Sequence, residues 1–245
     1  MKDYFSSQSK AYSTFRPTYP QELYEFIFRH VTEKKVAWDC ATGNGQVAQY
    51  LATYFDEVYA TDISQQQLEH AGRQKNIFYS LRPGEQTSFQ DNQFDLITIA
   101  QALHWLDRDR FYREATRVGK PGAILAVWGY GLLTIDPVID RLLHEFYTET
   151  VGPYWDSARR LVESQYKSIS FPFKEIPTPR FAIQVKWTID QLSGYLSSWS
   201  ATQKYIHVKG ENPVTRFITS VVPYWKASRR LVSFPVFMRI GIVDK

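Results

Sequence analysis

The chain has 245 residues and a hydrophobic fraction of 44%, which fits one large globular domain or a core with an appended subdomain and excludes a disordered chain. One cysteine, Cys40, excludes an intrachain disulfide framework and a thiolate metal cage, and no metal site is expected. The formal charge of +4 divides unevenly: residues 1–150 hold 15 Lys+Arg against 19 Asp+Glu, while residues 151–245 hold 14 against 6.

Residues 20–30 read as a helix with apolar positions at Leu23, Phe26 and Ile27. A short apolar strand follows at 36–39, then a tight Gly43-x-Gly45 turn and a helix from Gln46, with Val47, Ala48 and Leu51 on one face. Residues 57–61 form a second strand ending at Asp62, and Ser64 is placed to cap a short helix. A strand near 77–81 leads through Arg82-Pro83-Gly84 to Phe94-Asp95-Leu96-Ile97-Thr98-Ile99-Ala100, whose β-branched apolar character marks a buried central strand. A helix over 108–117, started by Asp107, Arg108 and Asp109, stops before Gly119-Lys120-Pro121-Gly122, and 123–128 is another core strand. Alternation of strand and helix with short loops predicts an α/β, doubly wound, mostly parallel sheet.

After Gly131 the rhythm changes. Residues 136–150 read as a long helix, 171–179 as a proline-punctuated connection, 181–189 as a strand, 189–205 as mostly helix and 232–243 as a strand at the sheet edge. The expected organisation is a ligand-binding core with an N-terminal lid over 1–131, and a helical cap with closing edge strands over 132–245. Pro153-Tyr154-Trp155-x-x-x-Arg159-Arg160-Leu161-Val162 recurs 70 residues later as Pro223-Tyr224-Trp225-x-x-x-Arg229-Arg230-Leu231-Val232. Two copies with different flanks do not make a repeat array, and no function attaches to them.

The glycine turn points a helix N-terminus and backbone N–H groups at a ligand, and Asp62 lies nineteen residues after Gly43, the spacing of a ribose contact. Gly43-x-Gly45-x-x-Ala48 also satisfies a dinucleotide fingerprint, and a capped turn with no ligand shares the same residues. Asp39 argues against the dinucleotide, because a carboxylate there would face its pyrophosphate. A sulfonium and ammonium cation suits an acidic site better, which favours S-adenosylmethionine.

Four segments in chain order carry a resemblance. They are Tyr12-x-x-x-Arg16-Pro17-x-Tyr19-Pro20, then Asp39-x-x-Thr42-Gly43-Asn44-Gly45-Gln46, then Gly84-Glu85-Gln86-Thr87-Ser88-Phe89-x-Asp91-x-x-Phe94-Asp95, and finally Ala100-Gln101-Ala102-x-His104-Trp105. Together they are similar to the class I S-adenosylmethionine-dependent methyltransferases, in the small-molecule branch of the trans-aconitate methyltransferases. The loop departs from that pattern at Ala41, where many relatives carry glycine, and the third segment at Gly84 and Ser88. The resemblance implies a Rossmann-like methyltransferase fold with S-adenosyl-L-methionine as cofactor. Asp39, Ala41, Gly43 and Gly45 would form the methionine end, Asp62 would bind the ribose, and Ile63, Glu85 and Gln86 would lie by the adenine. Gln101 would approach the sulfonium, and Tyr12 and Arg16 would fold over the cofactor.

Methyl transfer requires nucleophile, methyl and sulfur to be held in line while water is excluded. A carboxylate acceptor needs no base, whereas a hydroxyl or amine does, and His104 is the candidate base or else a cleft-lining histidine. Trp105 reads as an aromatic wall. The basic C-terminal part and Trp155, Trp187, Trp199 and Trp225 point to an anionic or planar small-molecule acceptor, or simply to a solvated surface over an aromatic core. A nicotinamide oxidoreductase and a non-catalytic S-adenosylmethionine-binding protein are the alternatives. With no signal-like N-terminus, membrane span, zinc-finger or RNA-binding signature, the expectation is a cytoplasmic monomer or homodimer without nucleic-acid or membrane partners.

Overall fold

The computed structural model describes residues 17–245. Strands β1 (Val36–Cys40), β2 (Glu57–Asp62), β3 (Ile77–Leu81), β4 (Phe94–Ala100) and β5 (Gly119–Tyr130) pair in parallel in the order β3-β2-β1-β4-β5. Helix α1 (Gln21–Phe28) precedes β1, while α2 (Gln46–Leu51), α3 (Gln65–Glu69) and α4 (Arg108–Val118) occupy crossovers. Ser64 caps α3 by accepting from Gln67 N, and Asp107 caps α4 by accepting from Arg110 N. Strand order reverses between β1 and β4, and in such sheets ligands bind at the carboxyl ends of the strands beside the reversal.

Side-chain alternation along each strand builds two cores. Ala37, Val58, Leu96 and Ala126 face one, with α1 and α2, while Trp38, Ile97, Ile99 and Val127 face the other, with α4. Every residue of β4 but Ala100 is buried, as its sequence predicts for a strand covered on both faces.

The C-terminal half adds α5 (Pro137–Glu145), which passes through a π-helical turn (Phe146–Thr150) and a 3₁₀ turn (Gly152–Tyr154) to α6 (Arg159–Glu163). Helices α7 (Ile189–Ser197), α8 (Ser200–Lys209) and α9 (Pro213–Val221) join α5 on the α1–α2 face, whereas Val162 and Tyr166 cross to the α4 face. Strands β6 (Lys174–Glu175), β7 (Phe181–Trp187) and β8 (Arg230–Ile242) complete the sheet.

The last strand is not an edge. β8 runs antiparallel between β5 on one side and β6 and β7 on the other, so β6 and β7 form the boundary. Its hydrophobic alternation is that of any half-buried strand and does not distinguish an edge from an interior position. The duplicated decapeptide also divides. Both copies begin in a 3₁₀ turn ending at Tyr154 or Tyr224, but Arg159-Arg160-Leu161-Val162 is helix and Arg230-Leu231-Val232 is strand. Identical local sequence yields to different tertiary surroundings.

Candidate active site

The site begins where β1 ends. Ala41, Gly43 and Gly45 all take left-handed backbone, with φ of 54°, 57° and 78°. That conformation costs a non-glycine residue about 1 kcal/mol, so Ala41 holds it under strain. The turn is clamped by Asp62 at the end of β2. Its Oδ2 accepts from Gly43 N at 2.8 Å and its Oδ1 from Ser64 N at 2.9 Å. The nineteen-residue spacing thus brings Asp62 directly onto the glycine turn. Gly45 is required for another reason: a Cβ there would sit 2.3 Å from the Tyr79 hydroxyl, which donates to Gly72 O. The room that Gly45 leaves is filled by Tyr79 of β3.

A cavity of about 500 Å³ opens at the carboxyl ends of β1, β4 and β5. Asp39, Ala41, Gly43 and Gln101 line it together, so four of the expected residues meet there. Gln101 also has a left-handed backbone, φ 54°, and its Nε2 donates to Tyr130 O at 3.1 Å. Sequence reasoning missed Tyr19, Gln46, Tyr50 and Tyr130 in the wall. Tyr19 packs edge-on against Trp128 at 5.5 Å, and Tyr50 stacks on Tyr24 of α1 at 3.9 Å. The Pro17-x-Tyr19 segment and the loop motif ending in Gln46 offered a signal for two of them, and nothing marked Tyr50 or Tyr130.

Asp39 is fully buried. Its Oδ2 accepts from Thr42 Oγ1 at 2.5 Å and its Oδ1 from Thr98 Oγ1 at 2.8 Å. Burial pushes its carboxyl from the usual 3.8 up to about 6, against the hydrogen bonds from Thr42, Thr98 and the Ala48 backbone, and the charge of Asp62 adds to the rise. Among the described residues no lysine or arginine lines the cavity. An acid so placed fits a ligand that brings its own positive charge, and a pyrophosphate would find no counter-charge.

Other expected residues lie elsewhere. Glu85 Oε1 accepts from Asp107 N at 3.1 Å, so that carboxylate is engaged at the start of α4. Gln86 is exposed, Ile63 is half-buried after β2, and neither borders this cavity. Tyr12 and Arg16 fall outside the described residues.

His104 sits in a 3₁₀ turn (Leu103–Trp105) just beyond Gln101. It is buried, its Nδ1 lies 2.8 Å from Tyr166 Oη, and its ring packs on Trp105 at 4.7 Å. Burial, and next the positive charge of Arg159, push the imidazole from 6.5 down to about 3, with Asp156 opposing. Tyr166 and Gln165 both have left-handed backbone, φ 58° and 56°. The sequence did not disclose this partnership, because 62 residues separate His104 from Tyr166.

Residues 38–127 match the family model described as a methyltransferase domain. The chain is 34% identical to a methyltransferase of Dictyostelium discoideum, over 96% of its own length and 93% of that protein. It is 27% identical to the methyltransferase cfoB of Aspergillus candidus, over 77% of this chain and 68% of that one. Among solved structures, one described as a type II methyltransferase from Anaeromyxobacter dehalogenans matches with a TM-score of 0.88 and 33% identity, covering 94% of this chain and 99% of that chain. The acidic, phosphate-averse cavity at the strand reversal and these relatives agree, and the chain belongs to the class I S-adenosylmethionine-dependent methyltransferases.

Proposed function

We propose that the enzyme methylates a small molecule at a carboxylate, in the manner of the trans-aconitate branch that its motifs resemble. The observation that carries this is His104. It is buried with its Nδ1 2.8 Å from Tyr166 Oη, where loss of water lowers its proton affinity and makes it a weak base, and an acceptor hydroxyl or amine would need a stronger one. A carboxylate arrives already ionised. His104 then serves as a neutral hydrogen-bonding group oriented by Tyr166.

When bound, S-adenosylmethionine supplies a methyl group already activated by its sulfonium. Asp39 holds the ammonium end, and Gly43 offers backbone at the methionine moiety. Asp62 would accept from the ribose hydroxyls, Ile63, Glu85 and Gln86, outside the cavity, would lie toward the adenine, and Gln101 would face the reacting end. The work left to the protein is alignment and exclusion of water. Nucleic-acid and membrane partners have no place in this reading. Among the described residues no helix is long and apolar enough to cross a membrane.

Incubation with methyl-labelled cofactor and a fractionated small-metabolite extract tests the proposal. Label should enter a product that mild alkali releases as methanol, the behaviour of a methyl ester. Label confined to alkali-stable N-methyl or ether products would contradict it.

A further inference from the structure

Beyond His104 lies a cluster that the methyl-transfer reading leaves unused. The π-helical turn turns Tyr147 toward α6, where its hydroxyl accepts from Arg159 Nε at 2.9 Å and donates to Glu163 Oε1 at 2.6 Å. The Arg159 guanidinium lies over the rings of Trp155, at 4.9 Å, and Tyr147, at 5.7 Å. These contacts hold its plane but leave its two terminal nitrogens without a carboxylate among the described residues. Other partly buried arginines are treated differently: Arg117 meets Glu114 and Asp91, Arg230 meets Asp136, and Arg239 meets Glu175. Arg159 is half-buried and oriented, yet its only side-chain hydrogen bond among the described residues is to a phenol.

Its location gives this a meaning. Tyr147 and Trp155 belong to the α5–α9 side of the sheet, while Val162 and Tyr166 pack with Leu103 on the opposite side. Arg159 stands where the chain crosses between them, at the start of α6, which packs against the turn that carries His104 just after the carboxyl end of β4. Burial first, and then that nearby positive charge, lower the proton affinity of His104.

We infer that Arg159 is the specificity-determining residue of the acceptor site, binding an anionic group of the methyl acceptor, a carboxylate above all, through its terminal nitrogens. Tyr147 is its positioning residue. A guanidinium fork held flat by aromatic rings suits the two oxygens of a planar anion, whereas lysine would offer only a point charge. The inference rests on the small-molecule acceptor proposed above and adds which residue reads its charge.

The test is calorimetric titration of the protein saturated with S-adenosylhomocysteine. The probes are benzoate, isophthalate and glutarate, each beside its neutral amide. At least one carboxylate should bind tenfold or more tightly than its amide. Arg159→Met should reduce that preference to less than twofold, and Arg159→Lys should retain part of it. Tyr147→Phe, which keeps the charge but loses the hydrogen bond to Nε, should cut it about threefold. S-adenosylhomocysteine affinity and thermal midpoint should stay near wild type in each folded variant, and the Tyr147→Phe result decides if Arg159→Met does not fold. A wild type without carboxylate preference in any pair overturns the inference, and so does a preference of twofold or more in Arg159→Met or, where that variant does not fold, an undiminished preference in Tyr147→Phe. Absence of S-adenosylhomocysteine binding would instead bring down the underlying methyltransferase reading, and this inference with it.

Discussion

Asp39 makes the site responsive to pH. Its carboxyl is raised from 3.8 to about 6 in the folded protein, so the neutral form is favoured by folding. The group's contribution to stability is therefore full below about pH 4 and is lost as pH rises through about 6. A cation bound beside it reverses the preference by favouring the charged form. Binding of S-adenosylhomocysteine, which carries the ammonium, should tighten with rising pH, by about tenfold between pH 5 and 7.5 for a group titrating near 6. Calorimetry at both pH values checks this. Asp39→Asn should bind more weakly and lose most of the pH dependence, and equal affinities in the wild type would show that the ammonium does not meet Asp39. At this scale Asp39, Gly43 and Asp62 were legible because strand, turn and strand bring them together at fixed spacing. Tyr130, Tyr166 and Arg159 were not, since their positions follow from packing between segments far apart in sequence.

Among the elements, α5 has the clearest dependence on one residue. Asp136 is its N-cap, accepting from Val138 N at 2.9 Å and Ile139 N at 3.1 Å, and it pairs with Arg230 of β8 at 2.8 Å. It fastens the first helix of the C-terminal half to the strand that lies inside the sheet. Asp136→Ala should cost about 1–2 kcal/mol, most of it the lost cap. Thermal unfolding should show the midpoint falling by several degrees, with cofactor affinity unchanged once the protein is folded. Arg230→Lys, which keeps the charge and leaves the cap intact, should cost much less. The cap of α4 at Asp107 was readable from the sequence, because an acid before a helical run has a local cause. The interior place of β8 and the π-helical turn after Glu145 were not. Both arise from which neighbour each segment meets, and the decapeptide that is helix once and strand once shows how little the local sequence constrains that.

For the molecule as a whole, the parallel half was legible to within a few residues because each βαβ step obeys the same two periodicities and the same crossover rule. The C-terminal half followed less closely, since five short helices, a two-residue strand and two longer antiparallel strands leave many arrangements with equivalent hydrophobic patterns. Its excess positive charge was visible in the sequence, but the contrast between arginines that meet carboxylates and Arg159, which meets a phenol, is a property of the fold alone. The cavity between Asp39 and Gln101, whose glycine turn Asp62 clamps, should hold the methionine end of S-adenosylmethionine and no dinucleotide. Calorimetric titration of wild type and Asp62→Ala with S-adenosylhomocysteine and with NADH tests it most directly. Wild type should bind S-adenosylhomocysteine and not NADH, and Asp62→Ala should lose at least tenfold in affinity while remaining folded. Tight NADH binding, or unchanged S-adenosylhomocysteine affinity in Asp62→Ala, would contradict it.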